Sequence, residues 1–202
     1  MDSKLVKQEL LARINDLEKE FIKRKRFETI NQTLFKISNA INTTSNLSEL
    51  YSSIHQSLSH ILDTTNFFIA IYKQDDDSVK FPYCVDQVDG CLPPIKKGFT
   101  KTASLTAEVV RTGEAILMLK DEIVAFRKQR SYSTPACTPS LIWLGAPLKN
   151  MGQIIGVIAV QSYTNEKLYD ETDKDVLISI ADQVALAISR KKTEEMLQAI
   201  SK

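Results

Sequence analysis

The stretch Trp143–Tyr163, WLGAPLKNMGQIIGVIAVQSY, holds two apolar runs separated by KNMG. Two such runs joined through a short turn with glycine predict a β-hairpin. The second run has scarcely any polar position. Under the two-residue period of a strand, Ile154, Gly156, Ile158 and Val160 point one way, and Ile155, Val157 and Ala159 the other. Both sides are apolar, so both must be covered. The hairpin therefore belongs to the middle layer of a three-layer arrangement.

Outward from the hairpin the pattern changes to helices. From Ser3 to about Ile41 there is neither proline nor glycine, and strong helix formers dominate. Leu10, Ile14, Leu17 and Phe21, then Phe27, Ile30, Leu34, Ile37 and Ile41, follow steps of three and four, a heptad seam interrupted within KRKRF. A helix of about 40 residues is roughly 60 Å long, more than the width of the domain that the other residues can build. Its first half must project and needs a partner. At the other end, Glu171–Ile200 places Val176, Ile180, Val184 and Ile188 at helical spacing and continues through Met196 and Ile200. Between these brackets, NFFIAIYK and VKFPYCV read as strands around the turn DDDS, with Pro82 indicating an edge or a bulge. SLTAEVVRTG predicts a short helix capped by Ser104 or Thr102 and ending at Gly113. AILML reads as a strand, KDEIVAFRKQ as a short helix and SYSTPACTPS as a loop. The fold class is α+β, built on an antiparallel sheet.

The 202 residues, 43% hydrophobic and 25% charged, suit one domain plus extra helix, and the net charge of +1 offers no broad field for nucleic acid or an anionic membrane surface. No apolar run approaches the roughly 20 residues of a membrane span, and MDSKLVKQEL lacks a signal-peptide core, which predicts a soluble, cytoplasmic chain. Three cysteines without CxxC spacing suit reduced thiols better than a disulfide framework or a zinc site. His55 and His60, five apart on a helix, do not share a face as metal ligands, and KRKR at Lys23–Arg26 reads as a solvated stretch of helix. No GxGxxG, Walker or GxSxG motif occurs, so neither catalytic nor metal-binding residues are assigned and no cofactor is identified.

WLGAPLKNMGQIIGVIAVQSY, followed by YDETDKDVLISIADQVALAISRK and preceded by SLTAEVVRTGEAIL, resembles a GAF domain, the small-molecule-sensing module of many signalling proteins. The resemblance implies a six-stranded antiparallel sheet with terminal helices on one face and a ligand pocket, under loops and short helices, on the other. It divides the chain into an N-terminal amphipathic helix over 1–33, the GAF domain over 34–192, and the start of a C-terminal signalling helix over 193–202. The flanks resemble the helices that join such modules in bacterial sensor histidine kinases, which implies a homodimer through the terminal helices and an output domain beyond them.

Tyr83, Phe99, Tyr132 and Trp143 could stack on a planar ligand in such a pocket, with Cys137 beside them; core packing is the plainer reading of each. Bilin-binding members of the family attach pigment through a cysteine followed by histidine, whereas Val85, Leu92 and Thr138 follow the cysteines here. Asn165, Lys167, Tyr169 and Asp173 loosely resemble the signature of cyclic-nucleotide-binding members, but a capped helix start explains YDETD more simply. Cys91 and Cys137 fall near two of the three cysteine positions of free methionine-R-sulfoxide reductase. Three functions therefore compete: a small-molecule sensor, a structural dimerisation module, and thiol chemistry.

Overall fold

Helix α1 (Ser3–Thr43) is continuous in the computed structural model, which describes residues 3–91, 93–95, 97–130 and 137–200. The break in its apolar seam marks a change of environment. Before it, Leu10, Ile14, Leu17 and Phe21 are 59, 49, 48 and 67% exposed; after it, Phe27 is still 65% exposed, and from there Ile30, Leu34, Ile37, Ala40 and Ile41 join the core. At the change-over, Arg26 of the KRKR run pairs with Asp173 at 2.6 Å instead of standing free in solvent. A short second helix, α2 (Leu47–Leu58), follows; Asn46 caps it by accepting from the Glu49 amide, and Leu50, Tyr51, Ile54 and Leu58 form its buried stripe.

Five strands form one sheet in the order β2-β1-β5-β4-β3, all neighbours antiparallel: β1 (Phe67–Lys73), β2 (Ser78–Val85), β3 (Ile116–Leu119), β4 (Ile142–Asn150) and β5 (Gln153–Ser162). The expected sixth strand is not formed among the described residues. Among the described residues between β2 and the next helix, Ile95 forms an isolated antiparallel bridge with Val79. Pro93 and Pro94 beside it have no amide N–H to donate to a ladder. Strand β5 is the middle one. At its start Met151 and Gly152 both have positive φ, 49° and 80°, the geometry of a tight hairpin whose twist matches the strands.

Helix α5 (Glu171–Ile200), α1 and α2 cover one face of the sheet, against Ile142, Leu144, Leu148, Ile158 and Val160. Helices α3 (Leu105–Thr112) and α4 (Lys120–Gln129), with the 3₁₀ turn Phe99–Lys101, cover the other, against Ala70, Trp143, Val157 and Ala159. The strand facings depart from plain alternation at two places. In β2, at the position where Pro82 indicated an edge or a bulge, Phe81 and Pro82 together oppose Ala70, so Val79 and Phe81 pack on one side and Tyr83 on the other. A bulge opposite Leu148/Lys149 leaves Ile155 as the extra residue, so Ile154 packs with Val157 and Ala159, and Ile155 with Ile158. Beyond it, Gly156 passes so close to β1 that a Cβ there would lie 2.1 Å from the Ala70 carbonyl oxygen.

α1 and α5 run parallel. Arg26 meets the first turn of α5, whereas Lys191, buried near the other end, donates to the Ile41 carbonyl at 3.2 Å and pairs with Glu194 at 2.9 Å. Glu195 accepts from the Leu47 amide at 2.7 Å, so α5 grips the α1–α2 junction from both sides. The free part of α1 and the end of α5 consequently leave the domain at opposite ends, α1 by roughly 34 Å at 1.5 Å per residue. Among the described residues, no helix is long and apolar enough to cross a membrane.

The close approach at Gly156 sets a test. Gly156→Ala forces β5 and β1 apart, an overpacking cost of about 3 kcal/mol. At roughly 2–4 °C per kcal/mol for a chain of this size, calorimetry should show the melting temperature falling by about 6–12 °C.

Candidate functional site

On the α3/α4 side a cavity of about 70 Å³ opens at the end of the sheet. Its floor is Phe68 of β1, Phe81 of β2, Trp143 of β4 and Gln161 of β5; its cover is Ser104–Thr106, where α3 begins, with Ile123 and Arg127 of α4. Its mouth is the loop carrying Cys84, Asp86, Asp89 and Gly90, facing Cys137, Thr138 and Ser140. Trp143 lies flat over its own strand because Gly145, two residues on, has no side chain: a Cβ there would come within 2.2 Å of the indole. The cover is tied together by Glu108, which binds Arg111 of α3 and, at 2.6 Å, Arg130 just past α4. It is anchored to the β1–β2 turn by Asp77, whose carboxylate accepts from the Thr100 amide and hydroxyl.

The mouth is a hydrogen-bonded carboxylate pair. Asp86 Oδ1 accepts from the Val88 and Asp89 amides at 2.9 and 2.8 Å; its Oδ2 accepts from Gln161 Nε2 at 2.7 Å and the Tyr163 hydroxyl at 3.0 Å. Asp89 accepts from the Thr138 amide at 2.7 Å and hydroxyl at 2.8 Å, closing the loop against the segment that leads into β4. Burial pushes the Asp86 carboxyl up, but the two amides, Gln161 and Tyr163 together hold it below the ordinary aspartate value of 3.8. Burial, followed by the hydrogen bond to Asp86, raises the Tyr163 hydroxyl far above its ordinary 10.0, so it stays a donor at neutral pH.

Two of the predicted pocket residues line this cavity, Trp143 and Cys137. Cys137 accepts a bond from Arg127 Nη2 at 3.1 Å on its sulfur, and Arg127 Nη1 donates to its carbonyl at 3.1 Å. Tyr83 does not line it. A bulge in β2, where Phe81 and Pro82 together oppose Ala70, turns it to the helix face, where its hydroxyl meets His55 Nδ1 at 2.9 Å. His55 is stacked on Phe67 and bonded at its other nitrogen to Thr64 O, so it braces the helical layer. Phe99 is buried in the cover against Tyr72 and is absent from the cavity lining. Tyr132 lies outside the described residues. Asn165, Lys167, Tyr169 and Asp173 are likewise away from the cavity: Tyr169 donates to Asp63 O at 2.8 Å, while Asp170 and Asp173 each accept the other's amide in a reciprocal cap of α5.

The cysteine expectation needs correction. Cys84 and Cys91 form a disulfide, their Cα atoms 5.6 Å apart, and Cys137 alone is free. Asp86 turns the intervening segment back on itself through the Val88 and Asp89 amides, and Gly90 supplies a φ of 66°, which brings the two cysteines together. Spacing counts alone gave no sign of that turn. Among the described residues, no cluster of histidine, cysteine and carboxylate groups could hold a metal.

Because the folded-state value of Asp86 is depressed, its contribution to stability is present above 3.8 and lost as pH falls through that lower value. Thermal melts should therefore show the wild type losing its advantage over Asp86→Asn as pH is lowered below 3.8. An equal gap at neutral and acid pH would contradict this.

Similar architectures recur among solved structures. The GAF domain from a phosphoenolpyruvate-protein phosphotransferase of Coxiella burnetii superposes with a TM-score of 0.64 at 14% identity, covering 84% of this chain and 98% of that one. Residues 122 to 287 of a methyl-accepting chemotaxis protein give 0.61 at 20% identity, over 78 and 97%. Free methionine-R-sulfoxide reductase from Neisseria meningitidis, solved with its substrate, gives 0.60 at 13% identity, over 82 and 91%. At these identities the likeness is one of fold. No curated protein matches the chain. The family model described as GAF domain matches residues 44–189, and with the sheet, its two coverings and the cavity in place, the chain belongs to the GAF domain family.

Proposed function

We propose that this GAF domain is a non-enzymatic sensor, which binds a small molecule in the cavity beside Trp143 and relays the bound state through α1 and α5. The observation that carries the reading is the division of the sheet. One face bears the cavity; the other bears two parallel helices that leave the domain in opposite directions. A ligand would act by its difference in affinity between two arrangements of these layers. We infer that the chain works in the cytoplasm as a homodimer, with its output, a histidine kinase or another signalling domain, joined beyond α5. In a reducing cytoplasm the Cys84–Cys91 pair would open. The loop between them would keep its hydrogen bonds from Asp86 and Asp89.

Dimerisation rests on the uncovered seam of α1, spaced for a coiled coil. The double substitution Leu10→Asp, Leu17→Asp should convert a dimer into a single 22.8 kDa chain by light scattering without lowering the melting temperature of the domain. A dimer that survives it would place the interface elsewhere, and a chain that is monomeric without substitution would remove the coiled-coil step from the relay.

A purely structural dimerisation module has no use for an apolar cavity edged by carboxylates, and thiol chemistry is the stronger competitor. Cys84 and Cys137 line the same cavity, and Cys84 is paired with Cys91. The sensor reading expects no reduction of free methionine sulfoxide in the presence of excess dithiothreitol. Turnover that disappears in Cys137→Ser would replace it with the enzymatic one.

A further inference from the structure

The polar atoms that face the cavity are unevenly matched. Gln161 spends both hydrogens of its amide nitrogen, on Asp86 Oδ2 at 2.7 Å and on the Tyr163 oxygen at 2.9 Å, which fixes the amide's orientation. Its carbonyl oxygen has no partner among the described residues. The Tyr163 hydroxyl donates to Asp86. Arg127, the one cation of the lining, directs both terminal nitrogens to Cys137, and its Nε is buried away from the cavity surface. Arg127 thereby uses two of its five N–H groups, and its Nε–H has no partner among the described residues, while acceptors at the mouth also remain open. Asp89 Oδ1 accepts only from Thr138, leaving a lone pair, and the hydroxyls of Thr106 and Ser140, residues 7 and 3% exposed, have no protein partner among the described residues. Each hydroxyl can accept or donate.

Charge points the same way. Two carboxylates, Asp86 and Asp89, stand against one engaged guanidinium. The start of α3 at Ser104–Thr106 adds the positive end of a helix, but that is worth only about half a charge. An incoming anion meets a wall whose carboxylates outnumber its cations two to one, and burying it beside them is costly. The volume, about 70 Å³, is roughly half that of an engineered cavity that takes benzene, so in this conformation a nucleotide does not fit.

We propose that the cavity selects a small ligand, or the tip of a larger one, that presents N–H donors on a neutral amide or a cationic amidinium-type group to Gln161, Asp89, Thr106 and Ser140, and rejects carboxylates and phosphates. This rests on the sensor reading of the same cavity and adds the chemistry of what it senses.

Acetamidinium, acetamide and acetate test it, being nearly identical in shape and differing in N–H groups and charge. Trp143 is the sole tryptophan and lines the cavity, so its fluorescence and its indole N–H resonance report binding in the full chain. With four non-hydrogen atoms, an affinity of about 1 kcal/mol per atom corresponds to a dissociation constant near 1 mM, and titration to about 100 mM saturates the site. Acetamidinium should bind at least about tenfold more tightly than acetate, the scale of one charged hydrogen bond, with acetamide between them. Asp89→Asn should shrink the acetamidinium–acetate gap several-fold. Gln161→Leu gives a second route should Asp89→Asn disturb the loop, and is expected to weaken acetamidinium and acetamide together. Acetate binding as tightly as acetamidinium, or a gap unchanged in both folded variants, overturns the ligand class while leaving a binding cavity. A Trp143 signal unmoved by all three probes overturns this proposal and the sensor reading with it.

Discussion

Strand β5 must be packed on both sides, and the arrangement of every other layer follows from that requirement. Its residues Val157, Ile158, Ala159 and Val160 are fully buried, alternating between the helical layer and the α3/α4 cover. An apolar strand with two dry faces cannot sit at an edge, so it takes the middle of the sheet, between β1 and β4. There its backbone approaches β1 closely enough that position 156 has room for nothing but hydrogen. The tight seam also separates the two cores, which is why a cavity can exist on one side without loosening the helices on the other.

Much of this was legible in the residues. The two-sided apolar run predicted the central strand, the caps at Ser104 and Gly113 delimited α3, and the proline-free start predicted the long first helix. The misread strand facings share one physical origin, local departures from a period. One bulged residue exchanges the facings of Ile154 and Ile155, and another bulge, at Phe81–Pro82 in β2, turns Tyr83 toward His55. The cavity was harder to read. Trp143 and Cys137 stood out by residue type, but Asp86, Asp89, Gln161 and Tyr163 come from two distant segments that pair only once β1 lies between β2 and β5. Nothing local in Asp86–Gly90 announced the turn or what it would touch.

The interrupted seam of α1 illustrates how a sequence irregularity encodes a boundary. A six-residue step between Phe21 and Phe27 rotates the apolar stripe, so the part before it and the part after it cannot serve the same neighbour. From Ile30 onward the stripe faces α5 and the sheet; the part before the break, and Phe27 just after it, face outward. Arg26 stands at the junction and is held by Asp173, which also caps α5. One ion pair therefore joins the place where α1 enters the domain to the place where α5 begins. Such a half-exposed pair contributes little to stability, and its value lies in registering two helices.

That junction lies a short way along the chain from the cavity. Gln161 is next to last in β5; Ser162 then accepts from the amides of Thr164 and Asn165, Tyr169 is fastened to Asp63, and Asp170 opens α5. The connection is compact and internally bonded, so a displacement of β5's end is not absorbed by slack chain before it reaches α5. The sheet's centre, by contrast, is rigid, since Gly156 and its neighbours have no room to shift. Of the two ways a ligand could act on the helices, through the middle of the sheet or around its end, the packing favours the end: the residues that would touch the ligand there, Gln161 foremost, belong to the same strand terminus that positions α5.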